Sequence, residues 1–377
     1  ETALAVFDTV SEITKRQAVN AEQWKRYQAL YENKAHGIYG RIGSAPLQRD
    51  RNGRLSLNVI RSCVSTAGAK IAKNHPRPLF APNDGDYSLQ ERCKKLTRYA
   101  DGVFETASVD AVMPRCFIDS CVYGTGLVRV FIDGEPPPTD DDEDMRSVKV
   151  ERAMVDEVII DDREAHYGKP LQIHQVRTVA RDQIMERFRD DPAARNAIRS
   201  ASTLAERGQG ALGSGAGYQS SERGRMVEVV ESWHLPSGPY AKDGLHALSV
   251  CADNGILTRD EYTKDYFPFL SYPWSENIAG FWGTGLAEEL LGIQIEINML
   301  LRRISRAQAL ACVPRVFVPK DSNIAEDHIT NEMGGLVKYD GPTPPTIATA
   351  SAMPAEIYMH LERLLQKVYE ITGISQL

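Results

Sequence analysis

The stretch LAEELLGIQIEINMLLRRI, residues 286–304, decides the reading of this chain. Its apolar residues Leu286, Leu290, Ile293, Ile297, Leu300 and Ile304 step by four and three residues in turn. That spacing sets them on one stripe of a helix, and the stripe needs an apolar cover. The same rhythm returns at Ile357, Leu361, Leu364, Val368 and Ile371. Helices joined inside a bundle usually have connections of a few residues, so the roughly forty residues between these two segments read as a module of their own. The first helix is expected over 286–311, on the order of 40 Å long. The second is expected to open at Pro354, a good first-turn residue, and to stop at Gly373, a good C-terminal cap. A stalk with a tip follows, which suits an assembly component better than a self-contained enzyme. The simplest cover for the two stripes is each other, with the outer faces meeting neighbouring subunits.

Working outward, Pro314-Arg315-Val316-Phe317-Val318-Pro319 and Gly335-Leu336-Val337-Lys338-Tyr339 are short strand candidates, with a helical stretch in 321–333 between them. An α/β tip of this size buries little by itself and is marginal unless copies pack together. The body before Trp282 is mixed α+β. Helices are expected over 3–33, 57–74, 87–111 and 182–189, and strands within 127–132, 148–160, 171–176, 227–233 and 247–252. Residues 206–224 are Gly- and Ser-rich and read as a flexible loop. The aromatic, proline-rich segment from Tyr266 to Trp274 leads to Gly280, Gly283 and Gly285.

Acidic residues outnumber basic ones, 51 to 44, for a formal charge of -7. A protein that grips nucleic acid over most of its surface is disfavoured, because grip comes from Lys and Arg neutralising phosphates. One that lets DNA slide past stays open. The six cysteines form no CxxC pair, which suits buried free thiols in a reducing compartment. No apolar run reaches the ~20 residues that span a bilayer, and Glu1 to Val10 lack a signal-peptide pattern. Cytoplasmic synthesis is expected, with residues upstream of Glu1 missing from this numbering.

Motifs for chemistry mostly fail on context. Gly208-Gln209-Gly210-Ala211-Leu212-Gly213 matches a dinucleotide fingerprint by letter, but no strand precedes it. Residues 280–285 have phosphate-loop spacing, yet Leu286 stands where Lys is required. No HExxH occurs, and Ser214 has Leu212 where a nucleophile elbow needs Gly. The run Asp140-Asp141-Asp142-Glu143-Asp144 follows three prolines and reads first as a solvated loop, with a divalent-metal site as the alternative. No catalytic, cofactor or metal residue is assigned. In the first stalk helix Glu288, Glu289 and Glu296 sit early, and Arg302, Arg303 and Arg306 late. This polarity suits the helix dipole, and equally a basic ring near a passing phosphate backbone if many copies surround a pore.

Several segments, in order along nearly the whole chain, carry a resemblance. They are Leu57-Asn58-Val59-Ile60-Arg61-Ser62 running to Asn74-His75-Pro76-Arg77-Pro78, Phe267-Pro268-Phe269 with Pro273-Trp274, and Gly283-Thr284-Gly285-Leu286-Ala287-Glu288. The helix holding Gln294 to Asn298 follows, then Ile371-Thr372-Gly373-Ile374-Ser375. Together these resemble the portal protein, or head–tail connector, of tailed double-stranded DNA bacteriophages. The resemblance implies an α+β portal fold with a wing over 1–284, a first stem helix over 285–311 and a clip over 312–352. A second stem helix over 353–373 and the start of a tunnel loop at 374–377 follow, with Gly373, Ile374 and Ser375 leading into it. Portals of this type continue into further wing and a helical crown, so with the chain stopping at Leu377 these parts are expected to be absent from it.

The resemblance also implies a dodecameric ring at one capsid vertex of the virion, assembled in the host cytoplasm, through which double-stranded DNA enters and leaves. Its implied partners are further copies of itself, the terminase large subunit, a head–tail adaptor or tail protein, and major capsid and scaffolding proteins. No membrane, cofactor or catalysis of its own is implied, since terminase supplies ATP hydrolysis. Arg302, Arg303 and Arg306 are then candidates for the channel, and Arg315, Lys320, Asp321, Asn323, Glu326 and Lys338 for a docking surface on the clip. Two other readings remain: a metal-dependent hydrolase using residues 140–144, and a self-associating scaffold protein without a DNA channel.

Overall fold

The computed structural model describes residues 2–33, 56–73, 77–83, 87–134, 146–201, 226–238, 240–250, 255–311, 315–317, 346–348 and 354–373. It divides into two compact units, one of Glu1–Ser44 with Ile60–Leu291 and one of Ala45–Val59 with Gly292–Leu377. In chain order the first helices are α1 (Thr2–Tyr31), α2 (Val59–Lys73), α3 (Tyr87–Thr106) and α4 (Val109–Tyr123). Then come β1 (Thr125–Asp133), β2 (Ser147–Ala153), β3 (Val158–Ile159), β4 (Gln172–Ala180), α5 (Arg181–Arg187) and α6 (Pro192–Ser200). Strands β5 (Met226–His234), β6 (Leu245–Val250), β7 (Ile256–Glu261) and β8 (Phe269–Pro273) and the one-turn helix α7 (Leu286–Glu289) complete the larger unit. The mixed helix and sheet agree with the α+β expectation.

The larger unit carries a three-stranded sheet of order β2-β1-β8 and a five-stranded meander of order β3-β4-β5-β6-β7, antiparallel at every pairing. Alternation along β5 sends Val227 and Val229 to one face and Val230 to the other. The first face is covered by α5 and α6 through Ile184, Ala194, Ala197 and Ile198. The second meets Val10 and Ile13 of α1. Gln17 of α1 adds a polar tie, donating to the Val158 carbonyl at 3.0 Å and accepting from the Ile160 N–H at 3.3 Å.

Two expectations are corrected, and three elements were not anticipated. The helix expected over 87–111 breaks after Thr106, where Ser108 takes a left-handed backbone (φ 51°), and α4 then runs past Pro114 to Tyr123. The strand expected over 148–160 is cut by a turn in which the Glu157 N–H donates to the Met154 carbonyl. Helix α6 was not anticipated, although Asp191-Pro192 is a start signal: the Asp191 carboxylate accepts from the Ala193 and Ala194 N–H groups. Strands β7 and β8 were not anticipated either. Each lies at a sheet edge, where a short polar or proline-containing segment is tolerated.

The two sheets meet through Arg129 of β1, which is 8% exposed. Its guanidinium donates to Gln175 of β4 at 2.7 Å and pairs with Glu231 of β5 at 2.8 Å. It also lies over the rings of Phe131 and Trp233. Burial raises the Glu231 carboxyl, but hydrogen bonds from His246 and Arg129 and their charge outweigh it and hold the group below its ordinary value. Arg129→Ala strands the Glu231 carboxylate, and the expected cost is about 3–5 kcal/mol by urea unfolding.

On the α1 face of β4, His174 bonds through Nδ1 to the Ser232 hydroxyl at 2.8 Å. Burial, with His234 second, pulls its pKa from 6.5 to about 4. Above pH 6.5 neither state is protonated there, and between 6.5 and about 4 only the unfolded chain takes the proton. This site should therefore lose stability progressively as pH falls from 6.5 and level off below about 4, by up to about 3 kcal/mol. His174→Asn should remove that part of the pH slope in matched urea titrations.

Candidate functional site

The chain enters α7 through Trp282-Gly283-Thr284-Gly285, which lies against the similar turn Tyr123-Gly124-Thr125-Gly126 between α4 and β1. The Gly283 N–H donates to the Thr125 hydroxyl at 2.9 Å, and the Trp274 N–H to the Gly124 carbonyl at 2.9 Å. A Cβ on Gly124 would stand 2.0 Å from the Gly283 carbonyl oxygen, and one on Gly283 would stand 2.6 Å from the Pro273 Cβ. Of the two glycines with phosphate-loop spacing, Gly285 serves close backbone packing, a Cβ there standing 2.8 Å from the Gly124 nitrogen, while Gly280 supplies a left-handed backbone (φ 93°). Helix α7 is further held to α1: Trp24 and Trp282 meet edge to face at 4.8 Å, and the Tyr27 hydroxyl bonds to Glu288. Burial, then the Glu288 charge and hydrogen bond, push the Tyr27 pKa up.

The helix expected without a break over 286–311 is interrupted at Leu290 (φ −90°, ψ −5°) and resumes as α8 (Leu291–Ala311). In the smaller unit α8 buries Ile297, Leu300 and Ile304 with two amides, Gln294 and Asn298, that are 2% and 4% exposed. Gln294 accepts from the Val59 N–H at 2.8 Å and donates to the Leu57 carbonyl at 2.6 Å. Asn298 accepts from the Leu57 N–H at 3.1 Å. Two side chains one turn apart thus hold the backbone of Leu57 and the first residue of α2. The i, i+4 pair of amides was readable, but its target was not.

Beyond the grip, Arg302 is half-buried, and Arg303 and Arg306 are exposed on the same helix. Because α8 continues to Ala311, no basic residue lies in its last turn. The dipole explanation therefore loses its force, since the effect fades beyond that turn. After α8, β9 (Arg315–Phe317) pairs antiparallel with β10 (Thr346–Ala348), Arg315 opposite Ala348. The partner strand is thus 346–348; the candidate at 335–339 lies outside the described residues. So do Lys320, Asp321, Asn323, Glu326 and Lys338, Ile374 and Ser375, the loop at 206–224 and the acidic run at 140–144.

The second helix of the smaller unit, α9 (Ala355–Thr372), begins one residue after Pro354, which stands as its cap. It ends at Gly373 in the expected left-handed conformation (φ 63°), whose N–H donates to the Glu370 carbonyl. Of its stripe Val368 is buried, Ile357, Leu361 and Leu364 are half-buried, and Ile371 is exposed. Among the described residues no group of three His, Cys, Asp or Glu is placed to hold a metal, and no helix is long and apolar enough to cross a membrane.

In chain order an α+β body is thus followed by two helices with a small strand ladder between them. A family model described as the Phage SU10 portal protein matches residues 99–377. The chain belongs to that family of tailed-phage portal proteins. No curated protein matches the chain.

The Gln294 grip is testable. Gln294→Leu leaves the Val59 N–H and the Leu57 carbonyl without their partner, and a loss of about 2–3 kcal/mol is expected in thermal or urea unfolding.

Proposed function

We propose that this portal protein forms a ring at one capsid vertex, conducts double-stranded DNA during packaging and ejection, and has no catalysis of its own. The observation that carries the reading is the family match, which covers α8, the excursion after it and α9. Proteins of this family sit in the phage virion. The wing is proposed over 1–284, the stem over 285–311 and 353–373, the clip over 312–352 and the start of the tunnel loop at 374–377. Helix α7 is a transition, because it groups with the larger compact unit.

In this reading the stem surrounds the channel, and Arg302, Arg303 and Arg306 form a basic collar at its clip end. The clip, with Arg315, Lys320, Asp321, Asn323, Glu326 and Lys338, docks the terminase large subunit and later a head–tail adaptor or tail protein. Capsid and scaffolding proteins meet the ring from outside, and twelve copies are expected. A ring also suits the half-exposed stripe of α9, which a single chain leaves incompletely covered.

Negative-stain microscopy of the purified chain should show rings with a central hole, and those rings should stimulate terminase ATPase. Monomers or dimers at every protein and salt concentration would rule the reading out.

A further inference from the structure

One exposed helix of the larger unit carries charge that the chain itself leaves unmet. None of the 20 residues of α3 is buried. One side of the helix is nevertheless held in place. The Phe80 N–H donates to the Thr97 hydroxyl at 3.3 Å, and Arg77 lies over the Phe104 ring while pairing with Asp110 of α4 at 2.6 Å. Cys93, Thr97, Ala100, Val103 and Phe104, all half-buried, mark that inner side. At 3.6 residues per turn Arg92, Lys94, Lys95 and Arg98 occupy the other half of the circumference, and all four are exposed. Tyr87 and Tyr99 share this outer face, 74% and 69% exposed.

Residues 92–98 hold four cations and no acid. Arg92 with Lys95, Lys95 with Arg98 and Lys94 with Arg98 stand three or four residues apart, where like charges repel along a helix. Other exposed helices of the chain place opposite charges at this spacing: Glu12 with Arg16 and Glu22 with Arg26 on α1, and Lys367 with Glu370 on α9. Glu91 and Asp101 border the basic turns, yet among the described residues none of the four cations has an ion-pair partner. An anion from outside relieves such a cluster. The outer face offers no aliphatic centre, whereas protein–protein interfaces are depleted of charge at their core. Cations with tyrosine hydroxyls among them match a row of phosphates.

We propose that the outer face of α3 binds the phosphate backbone of double-stranded DNA through Arg92, Lys94, Lys95 and Arg98, without regard to sequence. The face belongs to the larger compact unit, whereas Arg302, Arg303 and Arg306 belong to the smaller one. The contact rests on the reading that this protein handles double-stranded DNA, and not on closure of a ring. Affinity falls with salt by a log–log slope of about 0.9 per phosphate met, so four contacts lose about a hundredfold between about 50 and about 200 mM salt. So salt-sensitive a contact steers DNA and lets it slide, in keeping with the formal charge of -7 on the chain.

The test measures binding of a short fluorescein-labelled DNA duplex of mixed sequence to the full chain by anisotropy across salt. Circular dichroism verifies helix content, and negative-stain microscopy reads ring formation in the same samples. The wild type should bind at low salt and lose at least about a hundredfold in affinity from about 50 to about 200 mM. Lys94→Gln with Lys95→Gln should lower the log–log salt slope by about two and weaken low-salt binding by about tenfold or more. Lys94→Arg with Lys95→Arg keeps the charge and should bind as the wild type does. An unchanged salt slope in the glutamine variant, or no duplex binding by the wild type at low salt, would overturn the proposal. Loss of rings with unchanged DNA affinity would assign the face to contacts between copies and overturn it too. A chain that never forms rings yet binds duplex through α3 would sink the ring reading and leave this contact standing.

Discussion

A single buried guanidinium holds the larger unit in register. The two sheets meet there through charge and aromatic faces, with Arg129 between Gln175, Glu231, Phe131 and Trp233. Such a group is tolerated away from water only when its charge is met, and here both terminal nitrogens have partners while the buried Nε has none. The meander supplies the partners, and each fixes the next. Glu231 accepts from His246 at 3.0 Å, His246 stacks on Trp233, and Trp233 meets Phe269 of β8 edge to face. A one-residue slip of β1 would turn Arg129 to the opposite face and leave Glu231 facing an apolar side chain. The cluster thus ties strand register in the small sheet to the position of the large one.

The smaller unit solves a related problem with neutral groups. The Val59 N–H opens α2, and the first N–H groups of a helix have no partner inside it. Gln294 caps that donor from a residue far away in sequence, and with Asn298 it meets both polar groups of Leu57. Apolar residues at 294 and 298 would extend the stripe of α8 but leave three backbone groups unmet. The larger unit meets its own constraint by removing side chains. Gly124 and Gly283 let two turns touch where any Cβ would collide with backbone.

These devices mark where the sequence was legible. Periodic segments read correctly: α1, α2, β1, β5, α9 and its Gly373 cap all follow from spacing and terminal residues. Breaks imposed by tertiary contacts did not. Nothing local distinguishes Ser108 or Leu290 as an interruption, because residues on both sides keep a helical pattern. The edge strands β7 and β8 carry little apolar alternation, since one margin faces no neighbour in the sheet. At the candidate site the arginines were visible as a cluster, but their distance from the helix end was not. That distance depends on α8 continuing through Ala307 to Ala311.

That continuation changes the electrostatic argument. Arg303 and Arg306 lie eight and five positions before the end of α8, beyond the last-turn carbonyls that would otherwise account for them. In the ring reading the phosphates of passing DNA are a counter-charge that remains. Each arginine–phosphate contact adds salt-dependent affinity, and a ring multiplies the contacts by the number of copies. A collar that met phosphates alone would hold DNA at one level of the channel and oppose its movement. The net charge of -7 on the whole chain opposes such a grip.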